Sequence, residues 1–178
     1  MKKLNKKGFT LVELLAVIVV LALLMVVATS SVGNALNNAK KNTLKTETQK
    51  IVTGIYQEGQ SAYMLNSSDL TQNIVTVAAT ANGINSKTKA TAASCKFKTG
   101  TSESTCTANG GVWLAVGNYY LKGKDGDYTY GVVLDAAGNV KGFAVNYKSE
   151  YNIISNTAMN GNPKIPDNIL VNTGSTTL

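Results

Sequence analysis

Two features of the sequence could do chemistry: one glutamate at the start of a long apolar run, and one pair of cysteines. Glu13 directly precedes the unbroken apolar stretch 14–28, and a carboxylate there costs on the order of 2–3 kcal/mol inside a membrane. Such a carboxylate needs a partner. Cys95 and Cys106 are the only cysteines and lie eleven positions apart, so a disulfide or a metal could join them.

The residues that usually carry catalysis are scarce. All 17 basic residues are lysine, and the chain has neither histidine nor arginine. Histidine is the usual general base, and a zinc site needs more ligands than two cysteines. Arginine is the usual bidentate clamp for phosphate or carboxylate. The composition therefore predicts a protein that is not an enzyme, and it points to no metal or other cofactor.

Positive charge is concentrated at the N-terminus. The formal net charge is +7, from 17 lysines against 10 acidic residues, and four of these lysines lie within residues 2–7. A basic start followed by an apolar run is typical of membrane targeting. The remainder of the 178 residues is enough for one ordinary domain.

The first thirty residues fit three kinds of N-terminal segment. A conventional secretory signal would be cut near residues 28–30, and a plain anchor would be retained. Neither of these explains Glu13. Residues 6–14, KKGFTLVEL, resemble the class III signal of type IV prepilins and pseudopilins: a basic leader, glycine, phenylalanine, a hydroxyl residue, two aliphatic residues and glutamate.

The resemblance implies a role for each residue at this junction. Residues 1–8 would be a leader, and prepilin peptidase would cut after Gly8. The same enzyme would methylate the new N-terminus on Phe9. Glu13 would pair with the α-ammonium of Phe9 in a neighbouring copy, because opposite charges in an apolar interior reduce each other's burial penalty.

The resemblance also implies a function and partners. The chain would be a structural subunit of a type IV pilus-like surface filament that serves adhesion, motility or DNA uptake. It would wait in the cell membrane as a single-pass protein and then join a helical homopolymer outside the cell. Its partners would be copies of itself, prepilin peptidase, the assembly machinery and minor pilins. Two alternatives stay open: a membrane-anchored or secreted binding domain, and a type II secretion pseudopilin.

Apolar periodicity predicts one long helix over residues 9–63. Residues 9–30 are apolar almost all round, as in a membrane-spanning and polymerising helix, and residues 31–63 are amphipathic. Ser30 stands where the resembled family often carries a proline. Weak helix formers around Gly33 leave both a continuous and a locally stretched helix open.

Residues 64–178 are predicted to form a globular head. Strand-like runs separated by turn residues predict a three-stranded antiparallel meander, at 112–121, 128–134 and 140–147. Such a sheet must cover an apolar face, and the amphipathic half of the helix can do so. The predicted fold class is therefore α+β, with a long N-terminal helix packed on an antiparallel β-meander, as the pilin resemblance also implies.

The rest of the head is less regular in sequence. Capping residues predict a short helix over 70–81, for which a strand is the alternative. Residues 82–110 are polar and predict a surface loop. A last edge strand is expected near 169–171, followed by a loose C-terminal end over 172–178.

Cys95 and Cys106 are predicted to form a disulfide within this polar loop. An exported head meets oxidising surroundings, and closing a loop of about twelve residues contributes roughly 3 kcal/mol. Two free thiols are the alternative.

Two other clusters have ordinary explanations. Asp125 and Asp127 could ligate calcium, but two carboxylates are too few and a hairpin turn accounts for them. Lysines close to tyrosines could bind DNA through phosphate charge and base stacking, although surface and core positions use the same residue types. This basic and aromatic cluster consists of Lys122, Lys124, Lys141 and Lys148 with Tyr119, Tyr120, Tyr128 and Tyr130.

Overall fold

The fold is α+β, with one long helix followed by antiparallel β-sheet, as predicted. The chain divides into two compact units, Met1–Lys40 and Lys41–Leu178. They are called the N-terminal unit and the sheet unit below, and the division between them falls inside the helix. A computed structural model describes residues 10–65, 70, 84–159, 161 and 164–178.

Helix α1 runs from Leu11 to Leu65, which confirms the predicted long helix. It remains helical through residues 29–33, where the sequence left a stretched segment open. The Thr29 hydroxyl donates a hydrogen bond to the Met25 carbonyl, a local bond that lets a hydroxyl residue sit inside a helix.

In the N-terminal unit, the described side chains of α1 are exposed all round. Leu11, Leu15 and Met25 are 79%, 54% and 69% exposed, and the same holds for the other apolar residues of this stretch. By length and composition this part of the helix could cross a membrane.

In the sheet unit, the same helix buries one face. Its buried positions recur every three or four residues, which is the period of a helix face that packs against a core. These positions are Leu44, Thr48, Ile51, Val52, Ile55, Gly59 and Ala62.

The main sheet has six antiparallel strands in the order β1-β4-β5-β6-β7-β8. The described residues also form a two-stranded sheet, β2-β3, and a short helix, α2 (Glu103–Ala108). The strands are β1 (Ile84–Lys89), β2 (Ser94–Lys96), β3 (Val112–Leu114), β4 (Tyr119–Asp125), β5 (Tyr128–Leu134), β6 (Val140–Tyr147), β7 (Tyr151–Ser155) and β8 (Asn172–Thr173).

The predicted meander is present as β4-β5-β6, and β5 and β6 have the predicted bounds. The first predicted strand was wrong in one respect, because residues 112–121 form two strands in different sheets. β3 pairs with β2, whereas β4 pairs with β1 and β5. Gly117 separates them at a φ of +85°, a left-handed conformation that favours glycine and breaks the strand.

Three other predictions need correction or lie outside the described residues. The segment 82–110 is not simply a loop, because its described part contains β1, β2 and α2. The last edge strand lies at Asn172–Thr173 and pairs with β7, so the expected strand at 169–171 was wrong. Of the predicted helix 70–81 only Leu70 is described, and it is helical and buried.

The main core lies between the second half of α1 and one face of the sheet. Ile51, Val52 and Ile55 from the helix belong to one buried cluster with sheet residues such as Tyr130 and Phe143. The other face of the sheet carries a smaller core built with β2 and β3. It consists of Ala90, Phe97, Val112, Leu114, Val133 and Ala144.

A close backbone contact joins α1 to the β5–β6 turn. A Cβ atom on Gly59 would lie 2.7 Å from the Gly138 carbonyl oxygen, and a Cβ on Gly138 would meet the Gly59 carbonyl. Gln60 adds a hydrogen bond of 3.1 Å from Nε2 to the Ala137 carbonyl. Only glycine allows the helix and the turn to approach this closely.

The C-terminal end is held by two buried asparagines, so the predicted loose tail was wrong. Asn146 donates to the Thr176 carbonyl at 2.8 Å and accepts from its backbone N–H at 3.0 Å. Asn152 donates to the Gly174 carbonyl at 2.9 Å. These bonds satisfy the buried amides and give the backbone of the tail partners that it would otherwise lack.

Candidate functional site

The start of α1 forms a capping box around Glu13. Thr10 lies just before the helix, and its hydroxyl accepts a hydrogen bond of 3.3 Å from the Glu13 backbone N–H. In return, Glu13 Oε2 accepts bonds of 2.9 Å from both the backbone N–H and the hydroxyl of Thr10. This reciprocal arrangement satisfies two backbone donors that a helix start leaves unpaired.

The capping box gives Glu13 a partner within its own chain, Thr10, which was not predicted from the sequence. The signal was present, because Thr-x-x-Glu before an apolar run is the sequence pattern of a capping box. A carboxylate at a helix N-terminus is also stabilised by the helix dipole. Glu13 therefore has two sources of stabilisation that do not depend on another copy of the chain.

The surroundings of Glu13 contain no opposite charge in the described residues. The next charged residue along the helix is Lys40. The predicted processing site, Gly8 and Phe9, lies outside the described residues. The Glu13 carboxylate lies in the first turn of α1. Cleavage after Gly8 would create a new N-terminus just before this turn.

Cys95 and Cys106 form a disulfide that links β2 to α2, with their Cα atoms 5.6 Å apart. Gly100 and Gly111 pack closely against this disulfide. A Cβ atom on Gly111 would lie 2.8 Å from Cys95 Sγ, and a Cβ atom on Gly100 would lie 2.6 Å from the Cys106 backbone. A second capping box, from Ser102 and Thr105, starts α2. The disulfide thus fixes a short helix that is too short to be stable alone.

The Asp125–Asp127 turn is a tight hairpin between β4 and β5. Gly126 has a φ of +54°, and Asp127 pairs with Lys148 at 3.2 Å. The hydrogen bond from Lys148 to Asp127 raises the pKa of that ammonium group. Among the described residues no group of three histidine, cysteine, aspartate or glutamate side chains could hold a metal.

The structure disperses the predicted cluster of lysines and tyrosines. Tyr119 and Tyr130 are buried in the core beneath α1, whereas Lys122 and Lys124 are exposed on the outer side of β4. Lys148 is paired at the hairpin. The cluster therefore does not form one surface for DNA.

Burial changes the ionisation of two tyrosine side chains. Burial raises the pKa of Tyr120 to about 12, and its hydroxyl has no hydrogen-bond partner in the structure. Burial, with a smaller contribution from Asp125, raises the pKa of Tyr130 to about 12. These hydroxyls stay neutral because the anionic form would lose its water.

Comparison with known proteins adds one match. No curated protein and no solved structure matches the chain. The family described as the prokaryotic N-terminal methylation motif matches residues 3–29, which include Glu13 and most of the exposed apolar stretch of α1. The motif indicates a type IV pilin- or pseudopilin-type protein. At residues 3–29 the chain carries the prokaryotic N-terminal methylation motif, the class III prepilin signal of type IV pilins.

Proposed function

We propose that this protein is a structural subunit of a type IV pilus-like surface filament. The observation that carries the proposal is the exposed apolar half of α1, most of which lies within the methylation motif. A helix with apolar residues on every side needs lipid or other apolar helices around it. A membrane would provide this cover before assembly, and copies of the same helix would provide it in the filament.

The capping box supports a role for Glu13 in two stages. In the membrane, Thr10 would stabilise the carboxylate, so that the precursor tolerates a charge near the apolar stretch. In the filament, the same carboxylate would accept the α-ammonium of Phe9 from a neighbouring copy, since cleavage after Gly8 creates that positive charge. Pairing the two charges would favour one stagger between neighbouring helices.

Processing and localisation follow from the same proposal. Prepilin peptidase would cut after Gly8 and methylate Phe9, and the assembly machinery and minor pilins would then act on the mature chain. The protein would move from a single-pass membrane position to the cell surface. Residues 9–30 would act as the membrane and polymerisation helix, residues 31–63 as its amphipathic continuation, and residues 64–178 as the head.

Two substitutions of Glu13 separate capping from charge pairing. Glu13→Gln keeps an acceptor for Thr10 and removes the charge, whereas Glu13→Val removes both. When each is the only copy, both should be cleaved, stay in the membrane and give few or no sheared filaments. Sheared surface material and membranes would be probed for the subunit.

Filaments at wild-type yield from Glu13→Gln would contradict the charge pairing. Glu58→Gln, a glutamate of α1 in the sheet unit, serves as the control and should assemble normally.

A further inference from the structure

A small cavity of about 180 Å³ lies beside the disulfide. Eight residues of mixed chemistry line it, among them Glu103, Thr107, Trp113, Lys141 and Asn156. The five named residues come from α2, β3, β6 and the segment after β7. The cavity is therefore built by the fold and not by one local loop.

Trp113 supplies the aromatic part of the cavity's apolar wall, which also includes Val112 and Ala158. The neighbours of Trp113 in β3, Val112 and Leu114, are buried in the smaller core, and Val112 also borders the cavity. Trp113 itself is only partly buried, and it lies opposite Cys95 in the β2-β3 pair. A large flat ring left partly open beside polar groups can stack against a flat apolar ligand face.

The polar groups supply both donors and acceptors. Glu103 and Lys141 are exposed and make no ion pair within the part of the chain that the structure describes. Asn156 donates from Nδ2 to the Thr107 carbonyl at 3.2 Å, which fixes the amide and leaves Oδ1 as an acceptor. A carboxylate, an ammonium and an amide together match a ligand with several hydroxyl groups, each of which both donates and accepts.

The disulfide makes the cavity rigid. Cys106 lies in α2 between Glu103 and Thr107, and its bond to Cys95 ties α2 to the strand that pairs with β3. The backbone positions of Glu103 and Trp113 are therefore set before any ligand arrives. Preorganisation of this kind lowers the entropic cost of binding.

We propose that this cavity binds one uncharged pyranose ring of a glycan. The ring's C–H face would stack on Trp113, and its hydroxyls would bond to Glu103, Lys141 and Asn156. One carboxylate and one ammonium offset each other, so neither an anion nor a cation is favoured over a neutral ring. The inference rests on the cavity alone and does not depend on filament assembly.

The single tryptophan of the chain provides the measurement, because all indole fluorescence comes from Trp113. The full chain, in a detergent that contains no sugar, is titrated with methyl glycosides of glucose, galactose, mannose, N-acetylglucosamine and N-acetylgalactosamine. At least one should change the emission saturably, with a dissociation constant of about 1–10 mM for a single ring. No saturable response to any of the five would overturn the proposal.

Variants show whether the response belongs to this cavity. Glu103→Gln should weaken binding about tenfold while the thermal midpoint stays unchanged, and reduction of the disulfide should weaken it as well. Glu150→Gln, an exposed carboxylate after β6, is the control and should bind as the wild type does. Unchanged affinity of Glu103→Gln, or a stronger response to inorganic phosphate than to every neutral glycoside, would contradict the proposal.

Discussion

The two halves of helix α1 share a secondary structure and have opposite surroundings. In the N-terminal unit, Leu11 and Met25 are 79% and 69% exposed. In the sheet unit, Val52 and Ile55 are fully buried. The first half is the more apolar of the two, yet only the second half has side chains buried by the rest of the described chain.

This difference shows how one helix can serve two purposes. The second half is stabilised within the chain, because its buried face completes the core beneath the sheet. The first half gains no such burial, so its stability in water would be marginal. In the proposed function, its apolar residues are a surface for lipid and for other copies of the chain.

The largest expected effect comes from removing a buried side chain in the second half. Ile55→Ala should destabilise the sheet unit by about 2–5 kcal/mol, because it leaves a cavity in the main core. Thermal unfolding of the full chain in detergent would measure the change. Leu23→Ala, on the exposed half, should leave the thermal midpoint unchanged; an equal loss in both variants would contradict the contrast between the halves.

A glycine comparison sharpens the contrast further. Gly59→Ala should cost about 1–3 kcal/mol, since its new Cβ would collide with the Gly138 carbonyl. Gly33→Ala places its Cβ in open space and should raise helix content without destabilising the sheet unit. Circular dichroism and the thermal midpoint report both quantities. A stabilising Gly59→Ala would show that α1 and the β5–β6 turn are not in close contact.

A smaller effect, in this case a gain in stability, is expected where the buried face of α1 carries an unpaired hydroxyl. Thr48 is buried and its Oγ1 has no hydrogen-bond partner in the structure. Thr48→Val should therefore stabilise the sheet unit by about 1 kcal/mol in chemical unfolding. Thr46 is exposed and bonds to the Asn42 carbonyl, so Thr46→Val should give no gain. Destabilisation by Thr48→Val would mean that this hydroxyl has a partner.

The smallest expected effect is a change in pH dependence. Tyr120 has its pKa raised to about 12, above that of an unfolded tyrosine, so its contribution to stability is present below pH 10 and is lost as pH rises toward 12. Tyr120→Phe should raise the thermal midpoint slightly at pH 7, because it removes a buried unpaired hydroxyl as Thr48→Val does, and it should reduce the loss between pH 10 and 12. An alkaline slope equal to that of the wild type would contradict the assignment.

The parts of the fold that follow from local patterns could be predicted from sequence. The helix period of α1 predicted that element with close bounds, and the strand-like runs of β5 and β6, separated by turn residues, predicted theirs. β1 was missed because its sequence, INSKTK, is polar and resembles a loop. The clamp made by Asn146 and Asn152 was missed because nothing local distinguishes a buried asparagine from a surface one.

The candidate sites divide in the same way. The methylation motif is a contiguous pattern, so Gly8, Phe9 and Glu13 could be selected directly from the sequence. The cavity at Trp113 combines α2, β3, β6 and the segment after β7, and only the folded chain brings these together. Its aromatic and polar residues are unremarkable one by one.

The chemical identity of the mature N-terminus tests the central claim most directly. Mass spectrometry of the subunit from sheared surface material should find a chain that begins at N-methylated Phe9. Gly8→Arg, as a control, should leave the uncleaved precursor in the membrane. A mature chain that begins at Met1 or near Ser31 would contradict the proposal and identify a plain anchor or a conventional secretory signal.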